Sequence, residues 1–282
     1  MRGDILSPMA APRPIDTDVR SADRADYEHY VRLVAQLALP ADEPIPPATR
    51  WETEWMPATF LVTHRDETVG YGVVRALGDT GHVVHVVTDR AWRGRGVGRA
   101  ILREAAERLR ASGCTRWALN VRPDNAPAIA LYERMGMRVA HRSTSLALAW
   151  ADVARLPRDP IATAARTIEP EHDPELEASF ELPSGRLAAL RARALVLLQL
   201  VAPDLPSPGI ACFDPLFPGA MLFRVRRPAL ARALLDGMRD HARPEDASVS
   251  LFCEDDDALV DTLRRAGART RAETLHMTGA LP

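Results

Sequence analysis

The stretch Arg93-Gly94-Arg95-Gly96-Val97-Gly98 combines the residue types that hold a phosphate anion. Three glycines in five positions let the backbone pass through conformations that a Cβ would block. An apolar run, Val83 to Thr88, precedes the stretch, and a helical pattern, Arg99 to Ala111, follows it. A turn of this kind at a helix start aims several N–H groups into one concavity, with the positive end of the helix dipole behind them. Arg93, Arg95 and Arg99 add positive charge, so the loop reads as a pyrophosphate cradle. The bland alternative is a glycine loop that only joins a strand to a helix. The dinucleotide fingerprint would need a further glycine near Ile101, and the phosphate loop of nucleotide triphosphatases needs Gly-Lys-Ser/Thr. Neither is present, and the chain has no lysine.

A second stretch lies one helix and one strand downstream. Asn125 is a good helix N-cap, Pro127 falls in the first turn, and Gly136 suits the C-cap. Ala128, Leu131, Tyr132 and Met135 share one face at helical spacing. The pattern Arg-x-x-Gly-x-Gly at residues 93–98 and the stretch Asn125 to Met137 together resemble the Gcn5-related N-acetyltransferase (GNAT) superfamily. That family's second stretch is Asn-x-x-Ala-x-x-Leu-Tyr-x-x-x-Gly-Phe, and Met137 stands here in place of the phenylalanine. The resemblance covers roughly residues 15–150.

The resemblance implies acetyl-CoA as co-substrate, held by Arg93, Gly94, Arg95, Gly96, Val97, Gly98 and Arg99 at the pyrophosphate. The backbone of Val86, Val87 and Thr88 would bind the pantetheine amides like an added strand, between two splayed strands, 83–88 and 117–121. Asn125 and Ala128 belong to the same cofactor wall, although Asn125 could equally serve as a cap alone. In the family a tyrosine at the position of Tyr132 protonates the departing thiolate, and a phenol with a pKa near 10 is protonated at neutral pH. The alternative for Tyr132 is a core aromatic. Many members carry a glutamate on the strand before the loop, where this chain offers His85, with His82 just ahead. Strict alternation puts His85 on the face of Val83 and Val87. It is either a base or a histidine tucked against the next strand. Trp51, Glu52, Glu54 and Trp55 fall in the segment that walls the acceptor, where an acid or a tryptophan face could hold a cationic amine. A solvated helix face with two buried tryptophans is the competing account.

The chain has 282 residues and a formal net charge of −2, which argues against a general nucleic-acid binder. Cys114, Cys212 and Cys253 lack metal spacing and suggest reduced, buried thiols in a cytoplasmic protein with no metal. No signal peptide or membrane span is legible, so no membrane partner is expected.

Residues 1–14 read as a flexible tail. Helices are expected at Tyr27 to Leu39 and Arg50 to Trp55, on either side of a loop at Pro40 to Pro47. Strands follow at Ala58 to Thr63, Val69 to Leu77 and Val83 to Thr88, with Asp66-Glu67 turning the first hairpin. A strand at Ser143 to Ala149 closes the first domain, 15–150, and a linker covers 151–177.

The remainder, 178–282, weakly echoes the first half. Gly267 matches Gly136, Asp256 matches Asn125, and Leu263 stands where Tyr132 does. The loop after Val225 is only Arg226-Arg227-Pro228, without glycine. It is read as a degenerate GNAT-like repeat or as an unrelated small α+β domain. The expected fold is therefore α/β (α+β): a central mixed antiparallel and parallel sheet flanked by helices, then a second, smaller GNAT-like domain. The expected activity is acetyl transfer to a primary amine of a small molecule, by direct transfer in a ternary complex, in a monomer or homodimer. A protein α-amine as acceptor, another acyl group as cargo, or a silent CoA-binding module stand as alternatives.

Overall fold

The structure, a computed structural model, describes residues 15–37, 45–161, 163–193, 195–216 and 218–282. The expected tail at 1–14 and the expected helix end and loop at 38–44 lie outside the described residues. In chain order the elements are β1 (Asp18–Ser21), α1 (Tyr27–Val34), α2 (Ala48–Arg50), β2 (Thr59–His64), β3 (Glu67–Leu77) and β4 (Thr80–Thr88). Then come α3 (Val97–Ala111), β5 (Arg116–Val121), α4 (Ala126–Arg134) and β6 (Arg138–Ala149). The second half follows with β7 (Ala164–Thr167), α5 (Asp173–Ser179), α6 (Arg186–Arg191), β8 (Val196–Val201), β9 (Gly209–Asp214) and β10 (Gly219–Val225). It ends with α7 (Ala231–Arg239), β11 (Ser248–Glu254), α8 (Asp257–Ala266) and β12 (Arg269–Ala280).

Two compact units result, Met1–Ala140 with Leu275–Pro282, and His141–Thr274. This division differs from the expected one at 150 and 178. The expected linker holds a 3-10 helix (Trp150–Arg155), β7 and the start of α5. Proline and acid in that stretch serve helix starts: Pro170 and Pro174 sit in first turns, where a missing N–H costs nothing.

In the first unit β1, β2, β3 and β4 pair antiparallel in sequence, and β4 pairs parallel with β5. The hairpin between β2 and β3 turns on Arg65 and Asp66, both at positive φ (47° and 68°), one position earlier than expected. Helix α3 buries Val97, Ile101, Leu102, Ala105, Ala106 and Leu109, a single stripe at helical spacing. With Phe60, Val83, Trp117, Leu119 and Tyr132 they form a core on one sheet face. On the other face Tyr30, Leu33, Trp51, Leu61, Tyr71, Val73 and Val87 form a second core under α1. Each large side chain so buried contributes about 1.5–3 kcal/mol.

The outer partner of β5 is not the strand that follows it in sequence. Leu275–Ala280 of β12 pairs antiparallel with Arg116–Val121, and Met277 enters the α3 core fully buried. Ser143–Ala149, expected to close the first domain, pairs instead with β11 in the second unit. There β7, β8, β9 and β10 pair antiparallel and β10 pairs parallel with β11. Both units thus have the same strand plan; the first takes its last strand, Leu275–Ala280, from the far end of the chain, whereas the second takes its own, Ser143–Ala149, from the segment that opens it.

Candidate active site

The parallel ladder between β4 and β5 has three rungs, Thr80 with Arg116, Gly81 with Trp117, and His82 with Ala118. Beyond His82 the pairing stops, while β4 runs on to Thr88 and β5 to Val121. The inner edge of β4 from Val83 onward therefore presents N–H and C=O groups to a gap. A bulge marks its mouth: Val73 pairs with His85 and Val74 with Val83, so Val84 has no opposite residue. The bulge overturns the simple alternation. Val83 packs in the α3 core and Val86 against it, whereas Val84 and Val87 pack on the α1 side. His85 falls on the α1 side too, against Trp55 and Tyr71.

The glycine loop sits at the end of this gap. Gly94 (φ 75°) and Gly96 (φ 90°) both take the left-handed conformation, which a β-carbon makes costly. Gly96 is the N-cap of α3 and no side chain caps the helix, so its first N–H groups are left for a ligand. Gly98 has a packing role: a Cβ there would lie 3.1 Å from Leu131 Cδ2, which brings α4 against the start of α3. Val97 is buried, and Arg93, Arg95 and Arg99 are exposed. Arg93 Nε donates to the Thr88 carbonyl at 3.4 Å, and the Arg95 guanidinium lies over Trp92 at 5.2 Å. Asp89 anchors the loop from behind, accepting from Arg32 and Gln36 of the α1 region and from the Ala91 N–H. Sequence reasoning had not singled it out.

Tyr132 is buried against the α3 core, and its hydroxyl has no hydrogen-bond partner among the described residues. Burial pushes its pKa up to about 12, so the phenol stays protonated at neutral pH. Asn125 caps α4, its side chain accepting from the Ala128 N–H at 3.3 Å, and Ala128 packs against the α3 core.

His85 answers less well to the role of base. Burial, helped by the Arg75 guanidinium, lowers its pKa to about 4. Its Nδ1 lies 3.0 Å from Tyr71 Oη. Tyr71 is fully buried, burial first and Tyr30 second hold its pKa well above the ordinary value, and His85 is its hydrogen-bond partner. A buried phenol keeps its donor satisfied by giving it to Nδ1, which leaves the ring proton on Nε2.

The acceptor wall is rearranged as well. Trp51 is a core residue. Glu52 pairs with Arg24 and Glu54 with Arg50, so neither carboxylate is held ready for an amine. Trp55 stacks on His85 at 5.1 Å and carries Arg75 over its ring at 5.1 Å. The residues 51–55 form a π-helical turn, a local widening that recurs at functional sites. Asn120 on β5 bonds His276 of β12 at 3.0 Å, a contact across 156 positions that no local pattern signals.

The acetyltransferase (GNAT) family model matches residues 27–137. N-alpha-acetyltransferase RimI of Mycobacterium tuberculosis is 36% identical over 143 residues, 48% of this chain and 88% of the relative. The chain belongs to the GNAT acetyltransferase family. It is a GNAT-type N-acetyltransferase. A GCN5-related N-acetyltransferase from Sphaerobacter thermophilus superposes with a TM-score of 0.61 at 20% identity, covering 94% of this chain and 96% of that one. A tandem GNAT protein from the clavulanic acid biosynthesis pathway superposes at 0.53 with 19% identity, covering 95% and 99%. The shared fold thus extends through both units of this acetyltransferase, and the second unit is GNAT-like. Among the described residues no cluster of His, Cys, Asp and Glu is placed to hold a metal, and no helix is long and apolar enough to cross a membrane.

Proposed function

We propose that this acetyltransferase moves an acetyl group from acetyl-CoA to the primary amine of a small molecule, by direct attack in a ternary complex. The observation that carries the reading is the ladder that breaks off after His82 and Ala118 beside an uncapped, glycine-bearing helix start. An unpaired strand edge takes an extended chain with amide groups, and the cradle takes its pyrophosphate. The loop from Arg93 to Arg99 holds the phosphates, and the main chain of Val86, Val87 and Thr88 holds the pantetheine arm. Acetyl-CoA supplies an activated thioester. Tyr132 donates its proton to the departing sulfur as the amine nitrogen bonds to the acyl carbon and the C–S bond breaks. With a pKa of about 4, His85 is neutral and weakly basic, so we assign it to positioning the acceptor; the amine's proton leaves to solvent.

Similarity to a protein named as an N-alpha-acetyltransferase favours a second acceptor, the α-amine of a polypeptide. Three buried free cysteines support action in a reducing compartment, the cytoplasm. The test is thiol release from acetyl-CoA with two acceptor panels, small primary amines and short peptides with free N-termini. Turnover with the first panel is expected. Turnover confined to peptides would move the assignment to the second reading, and tight CoA binding with no turnover would leave a silent module.

A further inference from the structure

The Trp55 face that could have received a cationic acceptor is taken by the protein's own cation. Arg75 lies over that ring at 5.1 Å and donates Nη2 to the Glu54 carbonyl at 3.2 Å, so stacking and a hydrogen bond hold it in place. The nearby carboxylates are committed elsewhere, Glu54 to Arg50 at 2.9 Å and Glu52 to Arg24 at 3.3 Å. Among the described residues Arg75 has no acidic partner, and most of its five N–H donors remain for a ligand. It stands level with the start of the gap, one strand away from it. Arg75 pairs with His82 on β4, and His82 forms the last rung with Ala118 on β5. The guanidinium's field reaches across this face, lowering both His82 and His85 after burial has done so. With its Nδ1 bonded by Tyr71, His85 adds an N–H donor and no negative charge.

We propose that the acceptor side of this site selects amines that also carry an anionic group, and that Arg75 reads that group. The inference rests on the acetyl-transfer reading above and adds the acceptor's charge class to it. An ammonium arriving alone meets an uncompensated guanidinium. A carboxylate or phosphate on the same molecule cancels that charge and accepts two parallel N–H bonds from the planar fork.

The test compares ω-amino carboxylates of increasing chain length with their carboxamides, and with aminoalkyl phosphates, at saturating acetyl-CoA. At one chain length the anionic acceptors are expected to show a KM lower by about tenfold, the equivalent of roughly 1.4 kcal/mol. The better of the carboxylate and phosphate arms identifies the anion. In Arg75→Gln the ratio should fall to about one through KM rather than kcat, and Arg75→Lys should restore part of it. A ratio near one in the wild type, or one that survives Arg75→Gln, overturns the proposal. If no amine of either class is acetylated, the acetyl-transfer reading fails, and calorimetry on the CoA-loaded protein decides the charge preference separately. N-acetyl amino carboxylates should then bind more tightly than N-acetyl amino carboxamides, and equal binding overturns it.

Discussion

The two units repeat one scaffold and differ at the points where chemistry would occur. In each, a parallel pair separates after a few rungs, past His82 and Ala118 in the first and past Ala220 and Leu251 in the second. Each carries a β-bulge just beyond the last rung, at Val84 and at Met221. Beyond the bulge they part. The first gap ends on left-handed Gly94 and Gly96, and the second on Arg226-Arg227-Pro228, which begins a 3-10 turn. The second gap is also crossed by charge: Arg224 near the end of β10 bonds Glu254 of β11 at 2.7 Å, and His141 approaches the same carboxylate. Leu263 lies fully buried at the position equivalent to Tyr132. The splay is therefore a property of the fold, whereas a site also requires the cradle, the open edge and the phenol.

The largest expected effect comes from removing the cradle. Gly96→Val adds a β-branched side chain at φ 90° and blocks the concavity; CoA affinity by calorimetry should fall by roughly 100-fold or more. The wild type should bind one CoA per chain. A stoichiometry of two, or retained affinity in Gly96→Val, would break the contrast between the gaps.

Tyr132→Phe comes next. Loss of a general acid should lower kcat by roughly 100-fold or more with CoA affinity nearly kept, and Leu263→Tyr should restore nothing. A kcat within about twofold of wild type would return Tyr132 to the role of a core aromatic.

The smallest effect is on stability. His85 is held neutral, and its counterpart beyond the second bulge, Leu222, does not titrate. Between pH 6.5 and about 4 the unfolded chain binds a proton at His85 that the folded chain does not, so stability is present above this window and lost as pH falls through it. The span from 6.5 to about 4 corresponds to at most about 3 kcal/mol, read as a falling denaturation midpoint. His85→Gln should flatten that fall. An identical slope in the variant would show that other groups set it.

The loop was legible in the sequence because left-handed backbone leaves a glycine trace, and α4 was legible because capping residues mark both its ends. Strands β2 to β5 were likewise readable from runs of apolar residues and turns, whereas β1 lies in a polar stretch that carries no such run. Three further things were not. The extra residue at Val84 has no compositional mark, so the face of His85 came out wrong relative to Val83. An arginine in an exposed strand position resembles any other, and the role of Arg75 depends on Trp55 some twenty positions away. The partner of a strand is not written in it either: alternation specifies a buried face but no address, so Ser143–Ala149 reads equally well beside β5 or β11.

That missing address has a consequence for synthesis. A ribosome releases β5 and α4 long before Leu275–Ala280, so during translation β5 waits for its native edge partner and the α3 core lacks Met277. The half that carries the glycine loop starts first and is completed after nearly all of the other half has been made. A fragment stopping near residue 150 would lack the native partner of that edge, leaving it to pair with its own Ser143–Ala149 or with another chain. For this enzyme, cutting at the apparent domain boundary would separate the half that carries the glycine loop from its own last strand.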